Sequence, residues 1–131
     1  MKTISVRSHT RTEFIDITEE VIKSISESSV KEGICILYVP HTTAGITINE
    51  GADASVKRDI LTALNKLIPF EGDYQHLEGN SAAHIKSTLT GVSLTLIIQD
   101  GRPVLGTWQS VYFCEYDGPR HRKVLVNIIG H

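Results

Sequence analysis

Apolar residues recur along this chain in two rhythms, a two-residue alternation typical of strands and a three-to-four-residue spacing typical of helices. Residues 3–10 and 13–17 alternate and are rich in β-branched side chains. With the polar Thr10-Arg11-Thr12 between them, they predict a first hairpin, Ser5, Arg7 and His9 sharing one face and Val6 lying opposite. Thr18 supplies an N-cap, Glu19 and Glu20 are first-turn acids that suit the helix dipole, and Val21, Ile22 and Ile25 form a stripe, which predicts a helix over 19–28. After Gly33 the run 34–39 is apolar on both faces, as a central strand is, and Pro40 closes it. Alternation resumes over 46–49. Asp53 then caps a helix in which Val56, Ile60, Leu64, Leu67 and Ile68 recur until Pro69 stops it.

Residues 70–80 have no periodicity and read as an irregular segment, followed by a shorter helix over 81–89 that ends at Gly91. Residues 92–99 alternate, Asp100-Gly101 is a strong turn signal, and 104–116 resume with aromatic and β-branched residues, so these two segments are expected to pair antiparallel. A second turn at Asp117-Gly118-Pro119 leads into 123–129, completing an expected three-stranded meander. Strands at both ends with helices between them predict an α+β fold, with a largely antiparallel sheet or sandwich and two to three helices. No glycine-rich dinucleotide or phosphate-loop fingerprint is present.

A length of 131 residues suits one domain with one core. The hydrophobic share of 40% and charged share of 21% exclude a mainly disordered chain. A net charge of -2 provides no basic field to gather a nucleic-acid backbone. No apolar stretch approaches the ~20 residues of a membrane helix, and the first residues lack the apolar core of a secretory signal, so the expected location is cytoplasmic. Cys35 and Cys114 each lie in an apolar run, which predicts separate buried thiols without the low pKa of a nucleophile.

The segment richest in chemistry is 73–84, where His76, His84, Glu78 and Asn80 surround a loop-to-helix junction. With His41 from the other polar loop, the imidazoles His76 and His84 could form a three-nitrogen metal site, although any one histidine alone is more often a hydrogen-bonded surface residue. His41-Thr42-Thr43-Ala44-Gly45 offers hydroxyls and backbone N–H groups to a phosphate, or simply a strand connection with local turn bonds. Asn49, Glu50 and Asp53 follow the next strand, where Glu50 could join the histidines and Asp53 could be a cap alone. Glu115 interrupts an apolar strand, so its carboxylate is paired, faces a cavity, or points to solvent. Arg120, His121, Arg122 and Lys123 could meet a phosphate or a neighbouring subunit's acids, or form a solvated hairpin end.

The stretch from Ser93 through Gln99-Asp100-Gly101-Arg102-Pro103 to Gly106-Thr107-Trp108-Gln109-Ser110-Val111 resembles the signature of the YjbQ family, also called the secondary thiamine-phosphate synthase family. Pro40-His41-Thr42-Thr43-Ala44, Asn49-Glu50 and the segment from His76 to His84 match the same pattern. The resemblance implies a compact α+β fold, a homotrimer and a site lined by the matched histidines. It also implies a weak thiamine-phosphate synthase activity, in which a pyrimidine diphosphate joins a thiazole phosphate and releases pyrophosphate with a divalent cation. His41, His76, His84 and Glu50 are the expected catalytic residues, the three histidines doubling as metal ligands for zinc or magnesium. Thr42, Thr43, Asn80, Gln109 and Arg122 are the expected contacts to a small phosphorylated or heterocyclic substrate. Three neutral imidazoles suit zinc better than Mg²⁺, which prefers oxygen. The competing expectation is a non-catalytic, homo-oligomeric protein that binds a small molecule or metal.

Overall fold

The computed structural model describes residues 1–131 and orders them as β1 (Lys2–Arg7), β2 (Glu13–Asp16), α1 (Thr18–Ser28), β3 (Gly33–Tyr38), β4 (Ala44–Glu50), α2 (Ala54–Leu67), α3 (Ser81–Thr90), β5 (Ser93–Gln99), β6 (Arg102–Pro103), β7 (Gln109–Glu115) and β8 (His121–Gly130). The strands form a five-stranded sheet, β1-β8-β3-β5-β6, and a three-stranded sheet, β2-β7-β4. Every pairing is antiparallel, and the fold is α+β as expected.

The two sheets pack face to face because each presents one alternating set of apolar side chains to the other. Ile4 and Val6 of β1, Cys35 and Leu37 of β3, Leu96 and Ile98 of β5, and Val124 and Val126 of β8 meet Ile46 of β4 and Val111 and Phe113 of β7. Val21 and Ile25 of α1 join that core. The intervening residues of β7, Tyr112 and Cys114, point the other way, into a second cluster with Phe14 and Ala83, against which Ile60, Leu61 and Leu64 of α2 lean. The layers therefore run five-stranded sheet, three-stranded sheet, then α2 and α3, while α1 packs on the core between the sheets. The five-stranded sheet keeps one face open.

Two expected pairings do not form. The first hairpin is replaced by a crossover, since β1 pairs with β8 in one sheet and β2 with β7 in the other. The C-terminal meander fails for the same reason: β5 pairs with β3 and β6, β7 with β2 and β4, and β8 with β1 and β3. Sequence neighbours usually pair, but β7 is buried on both faces from Val111 to Glu115. Such a strand needs a partner on each edge and a layer on each side, which only the middle of the smaller sheet provides. The Asp100-Gly101 turn does form, with φ of 53° and 74°, and joins Gln99 to Arg102 across a two-residue loop. Its second strand ends at Pro103, which has no N–H to donate, and residues 104–108 carry the chain to the other sheet.

The helices follow their sequence signals closely. Thr18, expected as the N-cap, is instead the first residue of α1 and caps nothing, since Asp16 Oδ1 accepts from both its backbone N–H at 2.9 Å and its hydroxyl at 2.6 Å. The Thr18 hydroxyl oxygen in turn accepts the Val111 N–H at 2.8 Å, tying the helix start to β7. Asp53 caps α2 by accepting from Ser55 N–H at 2.9 Å. Leu67, expected in the α2 stripe, is 73% exposed, since the packed face turns through Ile60, Leu61 and Leu64. Cys35 and Cys114 are free and buried.

Candidate functional site

The site is built where β3 stops and β8 continues. The last β3–β8 partners are Tyr38 and Leu125, and Pro40 prevents further laddering. Lys123, two residues on, would leave its backbone N–H without a strand partner. The His41 ring takes that place, Nε2 accepting from Lys123 N–H at 3.1 Å. A neutral imidazole has one acceptor and one donor nitrogen, so the proton of His41 sits on Nδ1. Partial burial, followed by the charge of Arg122, lowers the pKa of His41, with the bond from Lys123 opposing both. His41 is therefore a neutral N–H donor at neutral pH.

Beneath this loop lies an ion pair inside the sandwich. Glu115 occupies the next inward position after Val111 and Phe113 on β7, and Arg122 the one before Val124 and Val126 on β8. Glu115 is fully buried and Arg122 is 8% exposed. Arg122 Nε donates to the two carboxylate oxygens at 2.9 and 3.2 Å, and Nη2 donates to Oε2 at 2.5 Å. The Ser8 hydroxyl donates to Oε1 at 2.6 Å and Asp117 N–H to Oε2 at 3.0 Å. Burial alone would push the Glu115 carboxyl up, but these donors, led by Arg122, bring it below the ordinary value. Arg122 Nη2 also reaches the Thr43 hydroxyl at 2.8 Å and carbonyl at 3.2 Å. The ion pair thus anchors the loop that carries His41.

The opposite wall comes from the irregular segment and the first turn of α3. His76 and His84 stand edge to face, their ring centroids 5.4 Å apart with 86° between planes. Asn80 Nδ2 donates to Asp117 Oδ2 at 2.9 Å, which also accepts from Arg120 at 2.8 Å. Asn80 Oδ1 is the one buried side-chain polar atom without a partner. Together these walls enclose an open cleft of about 660 Å³ in which His41, His76, His84, Glu78, Asp117 and Arg120 are the chemically versatile groups.

Sequence reasoning and structure agree on part of this lining. His41, Thr42, Thr43, His76, Asn80, His84 and Arg122 all border the cleft. Glu50 and Gln109 do not. They are register partners at one end of the β4–β7 pair, while the cleft lies at the other, beyond Ala44 and Glu115. Six residues of strand separate the two ends, ~20 Å. There Glu50 Oε2 accepts from Ala52 N–H at 3.0 Å and Gln109 Oε1 from Gly106 N–H at 2.7 Å, so both shape turns. Two other expectations change role: Thr43 and Arg122 spend their main hydrogen bonds on each other and on Glu115. Asp117 was hidden in the sequence by its place in a turn motif, and Tyr38 by its place in an apolar strand.

The expected three-imidazole metal centre does not form within the chain. No three His, Cys, Asp or Glu side chains are grouped to hold a metal ion. His41 in particular has its Nε2 lone pair occupied and a proton on Nδ1, leaving no nitrogen for a metal. His76 and His84 do fit as two neighbouring ligands, because Zn–N bonds of ~2.0–2.1 Å at a tetrahedral angle place ring centroids about 5 Å apart. The thiols offer nothing further, since burial raises Cys35 to about 11 and Cys114 higher still.

The family model for UPF0047 protein YjbQ-like proteins matches residues 2–131. The chain belongs to the YjbQ family. Within that family it is 59% identical over 125 residues to UPF0047 protein MJ1081 of Methanocaldococcus jannaschii, covering 95% of this chain and 91% of that one. It is 47% identical to UPF0047 protein YugU of Bacillus subtilis, covering 99% of both. A YjbQ/UPF0047 crystal structure from Clostridium acetobutylicum superposes with a TM-score of 0.97 at 53% identity, over 98% of this chain and 100% of that one. A YbjQ-like protein from Sulfolobus solfataricus superposes at 0.95 with 33% identity, over 99% and 96%. The YjbQ fold is thus retained as identity falls from 53% to 33%.

Replacing Glu115 by Gln leaves the Arg122 charge buried without its counter-ion and is expected to cost ~3–5 kcal/mol by urea denaturation at pH 7. Because the folded carboxyl titrates below the ordinary value of 4.5, its contribution is full above that pH and lost as pH falls through the lower folded value. Glu115→Gln should therefore also flatten the fall of stability below pH 4.5. A loss under ~1 kcal/mol would remove the ion pair from its anchoring role.

Proposed function

We propose that this chain is an enzyme acting on a small phosphorylated heterocycle, of the thiamine-phosphate-forming type. The single observation supporting this reading is that three imidazoles from two distant segments border one polar cleft beside two guanidinium groups. In the proposed reaction the methylene carbon of a pyrimidine diphosphate forms a bond to the thiazole nitrogen, and its C–O bond breaks to release pyrophosphate. Charge accumulates on the departing diphosphate, so fixed N–H donors and cations are what such a step requires. His41 Nδ1–H suits a diphosphate oxygen, and Arg120, exposed at the rim, suits the outer phosphate. A divalent cation, when bound, would share that neutralisation, and His76 and His84 are the nitrogens this chain can give it. Asn80 Oδ1, the orphan acceptor, suits an N–H or O–H of the heterocycle.

The test is pyrophosphate release from the pyrimidine diphosphate and thiazole phosphate together. His76→Ala with His84→Ala is expected to lower kcat/KM at least ~100-fold, with the fold retained by circular dichroism. An unchanged rate in the double variant, or no turnover by the wild type with Mg²⁺ or Zn²⁺ supplied, would sink the proposal.

A second reading, a homo-oligomeric protein that binds a ligand without turnover, is favoured by one separate observation. On the open face of the larger sheet Ile34, Ile97 and Ile129 are direct cross-strand neighbours, 36%, 62% and 47% exposed, with Tyr38 nearby at 47%. An apolar cluster of that kind suits burial against further copies of the chain. A homotrimer is compatible with either reading. Sedimentation of the wild type at three times the chain mass, shifted toward monomer by Ile97→Lys, is the expected result. A monomeric wild type would contradict it.

A further inference from the structure

We infer that a second, smaller cleft on the far side of His41 is a phosphate-binding site. It is about 370 Å³ and is lined by Thr3, Ser5, His41, His121, Arg122 and Lys123. The strand register explains the grouping, since Ser5 lies opposite Lys123 and Arg7 opposite His121 on the β1–β8 pair. Cross-strand partners put their side chains on one face about 4.5–5.5 Å apart.

The cleft has no carboxylate in its lining. Both imidazoles are fixed in the same state by donors within the chain. His121 Nε2 lies 3.1 Å from Arg7 Nε and 2.9 Å from Arg7 Nη2, and His41 Nε2 accepts from Lys123 N–H at 3.1 Å. A guanidinium and a backbone N–H can only donate, so Nε2 accepts in each ring and the proton is left on Nδ1. Arg7 and Lys123 have no ion pair within the chain. The cleft therefore offers the His121 N–H, two hydroxyls and an uncompensated ammonium, with the Arg7 guanidinium behind His121. A tetrahedral oxyanion accepts from all of these, whereas a cation finds no charged acceptor. This site is independent of whether the larger cleft is catalytic.

Calorimetric titration of the assembled wild-type protein at low ionic strength, first with inorganic phosphate and then with glycerol phosphate, tests the inference and separates the free ion from the phosphate end of a larger molecule. Saturable binding of either is expected, weakened at least about tenfold by Lys123→Gln, and a saturable component persists in His84→Ala, which lies outside this cleft. His121→Phe, which removes a donor without changing the strand, provides the second variant and should also weaken binding. Failure of both probes to saturate overturns the inference. So does binding that survives Lys123→Gln and His121→Phe at full strength, or that His84→Ala abolishes.

Discussion

The geometry of the cleft depends on one buried ion pair. Glu115 and Arg122 sit at the edge of a sandwich core whose other inward positions are apolar, where an unpaired charge would cost several kcal/mol. Four donors satisfy the carboxylate, namely Arg122 Nε and Nη2, the Ser8 hydroxyl and the Asp117 N–H, while Arg122 Nη2 also donates to the hydroxyl and carbonyl oxygens of Thr43. The pair links β1, β4, β7 and β8 at one end of the molecule. It is from this end that every wall of the cleft departs.

That arrangement gives His41 and the His76–His84 pair different chemistry. His41 is held by a backbone N–H that a longer strand would have used, which fixes its tautomer and makes it a donor. His76 and His84 make no side-chain hydrogen bond, face each other across 5.4 Å and are free to bind an ion or a substrate. A cleft with one fixed donor and one open imidazole pair suits a phosphorylated ligand better than three equivalent ligands around a metal would. It also explains why Thr43, which reads as a phosphate contact, serves to hold the loop in place.

The elements themselves were legible because they obey local rules. The periodicity of Val21, Ile22 and Ile25, the Asp53 cap and the Asp100-Gly101 turn each specify a conformation within a few residues. The pairing of strands was not legible, because it depends on burial from both sides. The run from Val111 to Glu115 looks the same in a meander as in the middle of a covered sheet. Of the site, the three histidines were found through their polar loop settings, and the ion pair was anticipated only as one of three options for Glu115. Glu50 and Gln109 misled because proximity to matched motifs along the chain says nothing about which end of a strand they occupy. The tautomer of His41 depends on a bond to Lys123, 82 residues away, which no local pattern encodes.

The shared use of these imidazoles is best tested on the rings themselves. Long-range ¹H–¹⁵N spectra of the histidine side chains during a pyrophosphate titration would follow all three at once. The account predicts that free His41 carries its proton on Nδ1 and that His41, His76 and His84 shift together along a single binding curve. A His41 proton on Nε2, or movement of His76 and His84 with His41 unaffected, would contradict it.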